Sequence, residues 1–344
     1  MRGGCKNEID SIGSSSLSFW LIFGKVLLGR YLVAPSFFGG EGCSVKDKQN
    51  YFHKEFDWKP ISVLLVLATV WGANMATIKI AEREIAPLFM AGTRSLVATV
   101  GLYIWMRVKG LKAFPAKNVT YHGLVVGLLF GTEFGLIYMG LQYTLASRVY
   151  ILLYTAPFFA ALGAHYFLGG DRLTPWKAAG LIIAFCGILV LFLKKLGTFS
   201  ADTLPGDIMA LTAGAMWGGT TVYIKRFLAH RTEPLQTLFY QVLFSVPLLF
   251  CLSWLFESPL FHDVSVTGIL ALAYQCIIVA FLSYLVWFEL VHRYQVSLLH
   301  AFSFFTPVLG VLISGVIMLG EPIGASLIVA LVLVSIGMVL VNKG

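Results

Sequence analysis

The sequence predicts an all-α integral membrane protein: ten transmembrane helices, arranged as two inverted five-helix repeats around a central cavity. Three observations lead there. Hydrophobic residues make up 58% of the 344 and charged residues only 12%, whereas a soluble domain carries about 25% charged residues. Apolar side chains fall in long continuous runs rather than short alternating ones, which selects helices over a β-barrel as the way to satisfy the backbone in lipid. The chain also nearly repeats itself. Trp71-Gly72 followed by Ile78-Lys79 returns as Trp217-Gly218 followed by Ile224-Lys225, a shift of 146 residues (217 − 71). Thr155-Ala156-Pro157 running to Gly170-Asp171 returns as Phe305-Thr306-Pro307 running to Gly320-Glu321, a shift of 150 (307 − 157).

A span needs about 20 apolar residues. In order, the candidates are 60–80, 87–106, 119–141, 146–168 and 177–195, then 206–226, 235–256, 266–290, 296–319 and 323–342. The first five make a repeat over 59–195 and the second five a repeat over 206–343. Five is odd, so the second copy enters the membrane from the opposite side. Inverted repeats of this kind mark alternating access about a site near the midplane. Lys and Arg set the orientation. With residue 59 in the cytoplasm, ten basic residues lie at the inner ends, among them Arg107, Lys109, Lys112 and Lys117, against five at the outer ends: Lys79, Arg83, Arg148, Lys194 and Lys195. Both termini are therefore expected on the cytoplasmic side of a multi-pass protein of the cytoplasmic (inner) membrane. Lys79 and Lys225 fall at opposite faces and read as snorkelling anchors. Residues 1–58 do not fit the repeat: a polar start, an apolar stretch interrupted by Lys25, Arg30 and Pro35, and a charged run. That N-terminal extension reads as a signal-like segment, an interfacial helix, an extra span or a start site placed too far upstream.

The formal charge of +8 sits in short loops between apolar runs, which reads as topology rather than a nucleic-acid patch. Five cysteines without a CxxC or Cys/His cluster give no reason to expect disulfides or a metal. Nothing resembles a Walker loop, a nucleophile elbow or HExxH, so no cofactor and no enzyme chemistry is expected.

Within the spans, Gly123, Gly127, Gly131 and Gly135 recur every fourth residue and form a face for close helix packing. Glu133 lies about 200° round the helix from Gly131, so it points away from that stripe, towards a cavity rather than lipid. Arg94 and Glu133 are both near mid-span. Either they form a buried ion pair, or they serve a substrate or a proton at a cavity wall, which leaves coupling to a proton gradient open. Trp71 and Trp217, each followed by Gly, read either as packing positions or as aromatic walls suited to flat or cationic solutes. Tyr138, Tyr154, Tyr274, Tyr284 and Trp287 could join such a wall. His165 and His300 read first as structural histidines; His300 is kept as a site candidate. Gln142, Gln241 and Gln275 are candidates for bonds between helices. Glu289 and Arg293 are spaced to pair locally. Pro157 and Pro307 stand at matched positions, as gating kinks or as static bends.

Taken together, the paired Trp-Gly motifs, the run Leu141-Gln142-Tyr143-Thr144 through Pro157 to Leu168-Gly169-Gly170-Asp171, and the run Ser297 through Thr306-Pro307 to Leu319-Gly320-Glu321 resemble the EamA family of the drug/metabolite transporter superfamily. The resemblance covers about 60–343. It implies a ten-helix basket around a central cavity and movement of small organic solutes, often outward, with amino acids and their derivatives among frequent substrates. Gly170-Asp171 departs from the family's usual Gly-Glu. The expected function is a secondary transporter exporting small organic metabolites, amino-acid-like or amphipathic, with the small molecule and the bilayer as its partners and monomer or homodimer left open. The alternatives are an organic-phosphate or nucleotide-sugar exchanger, which needs several basic residues facing the cavity, and a non-transporting membrane scaffold.

Overall fold

The computed structural model describes residues 58–344 apart from 196, 198, 199 and 314–323. The N-terminal extension lies outside the described residues, as does Gly320-Glu321. The described chain is helical almost throughout, with a single β-bridge between Ile85 and Phe261.

Among the described residues ten rods follow one another: α1 (Trp58–Ala81), α2 (Pro87–Val108), α3 (Lys117–Gly140), α4 (Ala146–Phe167), α5 (Pro175–Phe192), α6 (Leu204–Phe227), α7 (Pro234–Phe256), α8 (Val266–Arg293), α9 (Val296–Val311) and α10 (Ala325–Lys343). Eight are long and apolar enough to cross a membrane on their own. The two others are α6, which carries Asp207, Lys225 and Arg226, and α9, which is short and broken among the described residues. At 1.5 Å per residue, the 24 residues of α6 still exceed the ~30 Å hydrocarbon thickness. Leu96, Val97, Val100 and Ile104 of α2 are exposed, as a lipid-facing surface requires. Proline stands at the start of α2, α5, α6 and α7, where its missing N–H costs nothing. Thr174 accepts from the Lys177 N–H at 3.1 Å and Ser265 from the Gly268 N–H at 3.1 Å, capping α5 and α8.

The packing has pseudo-twofold symmetry. Exchanging α1 with α6, α2 with α7, α3 with α8, α4 with α9 and α5 with α10 maps each main contact onto another. Thus α1 packs on α9 as α6 packs on α4; α3 meets α7 as α8 meets α2; α3 meets α6 as α8 meets α1. The pairs α2·α7 and α5·α10 map onto themselves. The repeats are interlocked, not side by side.

Glycine sets the closest approaches. A Cβ on Gly72 would stand 2.7 Å from the Gly310 nitrogen and 3.0 Å from the Thr306 carbonyl; on Gly218 it would stand 2.8 Å from the Ala160 nitrogen and 2.6 Å from the Ala156 carbonyl. These are equivalent contacts, since 306 − 156 = 310 − 160 = 150. The glycine of each Trp-Gly pair therefore lets its helix cross the broken helix of the other repeat, at the break. The Gly123, Gly127, Gly131 and Gly135 stripe of α3 takes Tyr240, Phe244, Leu248 and Leu252 of α7, one residue for each gap.

Two elements differ from the uninterrupted spans expected. Both α4 and α9 are broken rather than bent. The first stops at Leu153 and resumes at Ala156, the second stops at Phe302 and resumes at Phe305. Pro157 and Pro307 lie just inside the second pieces. Each lacks the N–H that would bond four residues back and crowds that carbonyl, so the helix ends upstream of it. In α8, Gln275–Ser283 is wound as π-helix, a form concentrated at functional sites.

Candidate functional site

A cavity of about 200 Å³ lies between the repeats. At about 10–15 Å³ per water-sized occupant, it admits a solute on the order of a dozen to twenty heavy atoms. Its lining is contributed by α1, α3, α4, α6, α7, α8 and α9. From the first repeat come Trp71, Asn74, Glu133, Phe134, Tyr138 and Tyr154; from the second come Trp217, Thr220, Gln241, Tyr284, Trp287 and Thr306.

Aromatic rings form a continuous band along this wall. Trp71 meets Tyr284 at 6.2 Å and Trp287 at 5.3 Å between ring centroids. Trp287 meets His300 at 5.5 Å, His300 meets Trp217 at 5.2 Å, and Trp217 meets Tyr154 at 6.0 Å. Most contacts are edge-to-face, the arrangement that ring quadrupoles favour. The matched tryptophans thus belong to one surface. They are anchored differently: the Trp71 indole N–H donates to Ser283 Oγ at 2.9 Å, at the end of the π-helical stretch. Tyr154 lies in the break of α4, where the interrupted helix turns its side chain inward. Tyr274 stays out of the lining and donates its hydroxyl to the Val70 carbonyl at 3.1 Å.

Glu133 lines the cavity and is buried, with no hydrogen bond or ion pair among the described residues. The ion pair considered for Arg94 and Glu133 does not form. The two groups do not come within 4.0 Å of each other. Arg94 is 2% exposed, does not line the cavity, and lays its guanidinium 4.6 Å from the Phe134 ring centroid, with Nη2 lacking any partner among the described residues. The reason is lateral offset. Phe134 follows Glu133 on α3, and the flat guanidinium stacks on that ring instead of reaching the carboxylate. Gln241, which aligns with Arg94 in the second repeat, does line the cavity.

His300 is fully buried; its Nε2 bonds Thr221 Oγ1 at 2.9 Å, and its ring fills the space between Trp217 and Trp287 without reaching the lining. His165 Nδ1 accepts the Leu173 N–H at 3.2 Å, a structural role. Glu289 and Arg293 pair across one turn of α8. Gln275 reaches Met90 Sδ on α2 at 3.4 Å through its Nε2.

Polar contacts bound the cavity at both ends. At the end near Lys225, the snorkelling reading fails for that residue. Lys225 is 3% exposed and donates to the Val291 and His292 carbonyls at 2.8 and 3.1 Å. These are terminal carbonyls of α8, which attract a cation. Its counterpart Lys79 is exposed, as expected of a snorkelling side chain. Nearby, Asp171 accepts from Lys177 Nζ at 3.1 Å, from the Ser297 N–H at 3.0 Å and from the Ser297 hydroxyl. Lys177 also donates to Gln295 Oε1 at 3.1 Å. The Gly-Asp that closes the first repeat's motif therefore clasps the start of α9 in the second.

At the other end, Glu257 accepts from the Leu88 and Phe89 N–H groups at 2.6 and 2.9 Å, capping α2. Glu84 accepts from the Ser265 N–H at 2.8 Å and the Ser265 hydroxyl at 2.7 Å. Those two bonds hold the Glu84 carboxyl below its ordinary pKa. A depressed carboxylate stabilises the fold above its unfolded pKa, and that contribution is lost as pH falls through the folded one. Exchange of the Ser265 amide is thus expected to be protected at neutral pH and to lose protection in acid in wild type. In Glu84→Gln it should be weakly protected throughout; identical profiles would reject the assignment.

Phe130, Phe134, Asn74 and Ser283 were not singled out from the sequence. Asn74 lies three residues after Trp71, and Phe130 three before Glu133. That spacing shares a helix face and was the available signal.

Comparison with known proteins agrees with this geometry. Residues 58–193 and 204–343 each match the EamA-like transporter family. The chain is 23% identical to the uncharacterized transporter YoaV of Bacillus subtilis (strain 168), over 80% of this chain and 93% of that one. It is 27% identical to a probable amino-acid metabolite efflux pump of Salmonella typhimurium, over 80% and 91%, and 25% identical to its Escherichia coli (strain K12) namesake, also over 80% and 91%. A solved crystal structure overlays with a TM-score of 0.70 at 21% identity, covering 80% of this chain and 94% of that one, which speaks to the fold alone. With two matched repeats, ten interlocked rods and an aromatic cavity between them, the chain belongs to the EamA-like transporter family and is a multi-pass membrane transporter.

Proposed function

We propose that this protein is a secondary transporter that exports small organic metabolites, amino-acid-like or amphipathic, across the cytoplasmic membrane by alternating access. The observation that carries the reading is an aromatic cavity lined by side chains of both inverted repeats. The efflux-pump names of the Salmonella and Escherichia relatives support the direction and the solute class. The phosphate-exchanger alternative loses ground, because among the described residues no Lys, Arg or His lines the cavity. The preponderance of Lys and Arg at one face supports both termini being cytoplasmic; a thiol probe impermeant to cells that labelled a cysteine placed at Gly344 from outside would refute that orientation. The functional test is flux. Purified protein in liposomes loaded with a labelled amino-acid and amine mixture should release at least one solute faster than protein-free liposomes, saturably. Release equal to the blank for every solute would reject transport.

A further inference from the structure

Given that transport reading, the cavity chemistry narrows the solute. We propose that the site selects aromatic amines as monocations, binding the ammonium group at Glu133 and the ring against the aromatic band, and discriminates against the parent amino acids. Three observations converge. The Glu133 carboxyl group is buried and faces the cavity, with no hydrogen bond or ion pair among the described residues. Such a group lacks a cationic partner that also brings hydrogen-bond donors, and an ammonium supplies both through its three N–H bonds. The walls around it are aromatic: Trp71, Tyr154, Trp217, Tyr284 and Trp287. Their ring faces attract a cation and match a flat body.

The third observation concerns what the cavity lacks. An amino acid brings a carboxylate as well as an ammonium. Its carboxylate would have to leave water, and among the described residues no Lys, Arg or His lines this cavity to receive it. Arg94 is buried outside the lining with its guanidinium over the Phe134 ring, and His300 is likewise buried behind Trp217 and Trp287. A charge desolvated without a partner is heavily penalised, so removing or masking the solute's carboxylate should improve binding rather than weaken it. A phosphorylated solute meets the same penalty.

The test compares tyramine, tyrosine methyl ester and tyrosine on the full-length protein in detergent by calorimetry, with labelled flux in liposomes alongside. Tyramine and the ester are expected to bind at least about tenfold more tightly than tyrosine, and Glu133→Gln to weaken tyramine by at least about tenfold, as loss of one member of a buried charge pair requires. Uncharged indole, scored with the shape-conserving Glu133→Gln and with the charge-conserving Glu133→Asp, reports whether the cavity is intact; the wild-type ranking needs no variant. A gap between tyramine and tyrosine smaller than tenfold, or tyramine binding indifferent to Glu133→Gln, overturns the proposal. The two readings fail separately. Amine-selective binding without flux of any solute would reject transport and leave the selectivity standing. Tyrosine carried as well as tyramine would reject the selectivity and leave transport standing.

Discussion

Asp171→Ala is expected to lower the melting temperature of the purified protein by about 10 °C. Asp171 is 4% exposed and Lys177 3% exposed. Their contact at 3.1 Å is completed by Ser297 on the same carboxylate and by Gln295 on the same ammonium. Deleting the carboxylate strands the Lys177 charge in a buried place, which costs about 3–5 kcal/mol, and each kcal/mol moves the midpoint of a chain this large by about 2–4 °C at most. The loss should come mainly from the stranded charge. The double variant Asp171→Ala with Lys177→Met is therefore expected to recover most of it, since a buried ion pair adds little over apolar packing. A scan of wild type, single and double variants decides the point. A single variant melting with wild type, or a double variant as unstable as the single, would contradict the account.

The second large effect separates two adjacent glycines. Gly218→Ala places a methyl group 2.6 Å from the Ala156 carbonyl and 2.8 Å from the Ala160 nitrogen, whereas a Cβ on Gly219 meets nothing within 4 Å. Backbone atoms cannot rotate aside, so α6 and α4 must separate at the point where Trp217 and Tyr154 face the cavity. Overpacking of this kind costs about 1–3 kcal/mol or more, while Gly219→Ala should be neutral or gain up to about 1 kcal/mol from reduced chain freedom. The expected result is a melting temperature for Gly218→Ala at least about 5 °C below that of Gly219→Ala, with flux reduced only in the former. Equal melting curves would show that the crossing is loose. Gly72→Ala should behave as Gly218→Ala does, because it occupies the equivalent crossing with Gly310 and Thr306.

Much of this architecture was legible in the sequence because lipid leaves few choices. Long apolar runs have to be helices, an odd number per repeat forces inversion, and the glycine stripe of α3 fixed which way Glu133 faces. What could not be read was rotation of one helix about its axis relative to another. Arg94 and Glu133 are both mid-span, yet whether they touch depends on a lateral offset that no spacing records, and Phe134 took the guanidinium instead. Lys79 and Lys225 stand at the same offset from their Trp-Gly pairs, but Lys225 donates to the end of another helix while Lys79 is exposed. The prolines announced irregularity without saying that α4 and α9 would stop and restart. The π-helical winding of α8 has no proline or glycine within Gln275–Ser283 to announce it.

The crossing of α5 and α10 carries one more consequence. A Cβ on Gly180 would stand 2.5 Å from the Gly337 carbonyl, and one on Gly187 would stand 3.0 Å from the Ala330 carbonyl. Those contacts exchange with each other under the repeat, since 330 − 180 = 337 − 187 = 150. The pair therefore straddles the symmetry axis, as does the α2·α7 contact, where Ser245 Oγ bonds Ser95 Oγ at 3.2 Å. When one half of a body turns about such an axis relative to the other, points on the axis stay still and displacement grows with distance from it. Contacts that map onto themselves, such as α2·α7 and α5·α10, therefore lie where a relative turn of the two halves about that axis would move the atoms least.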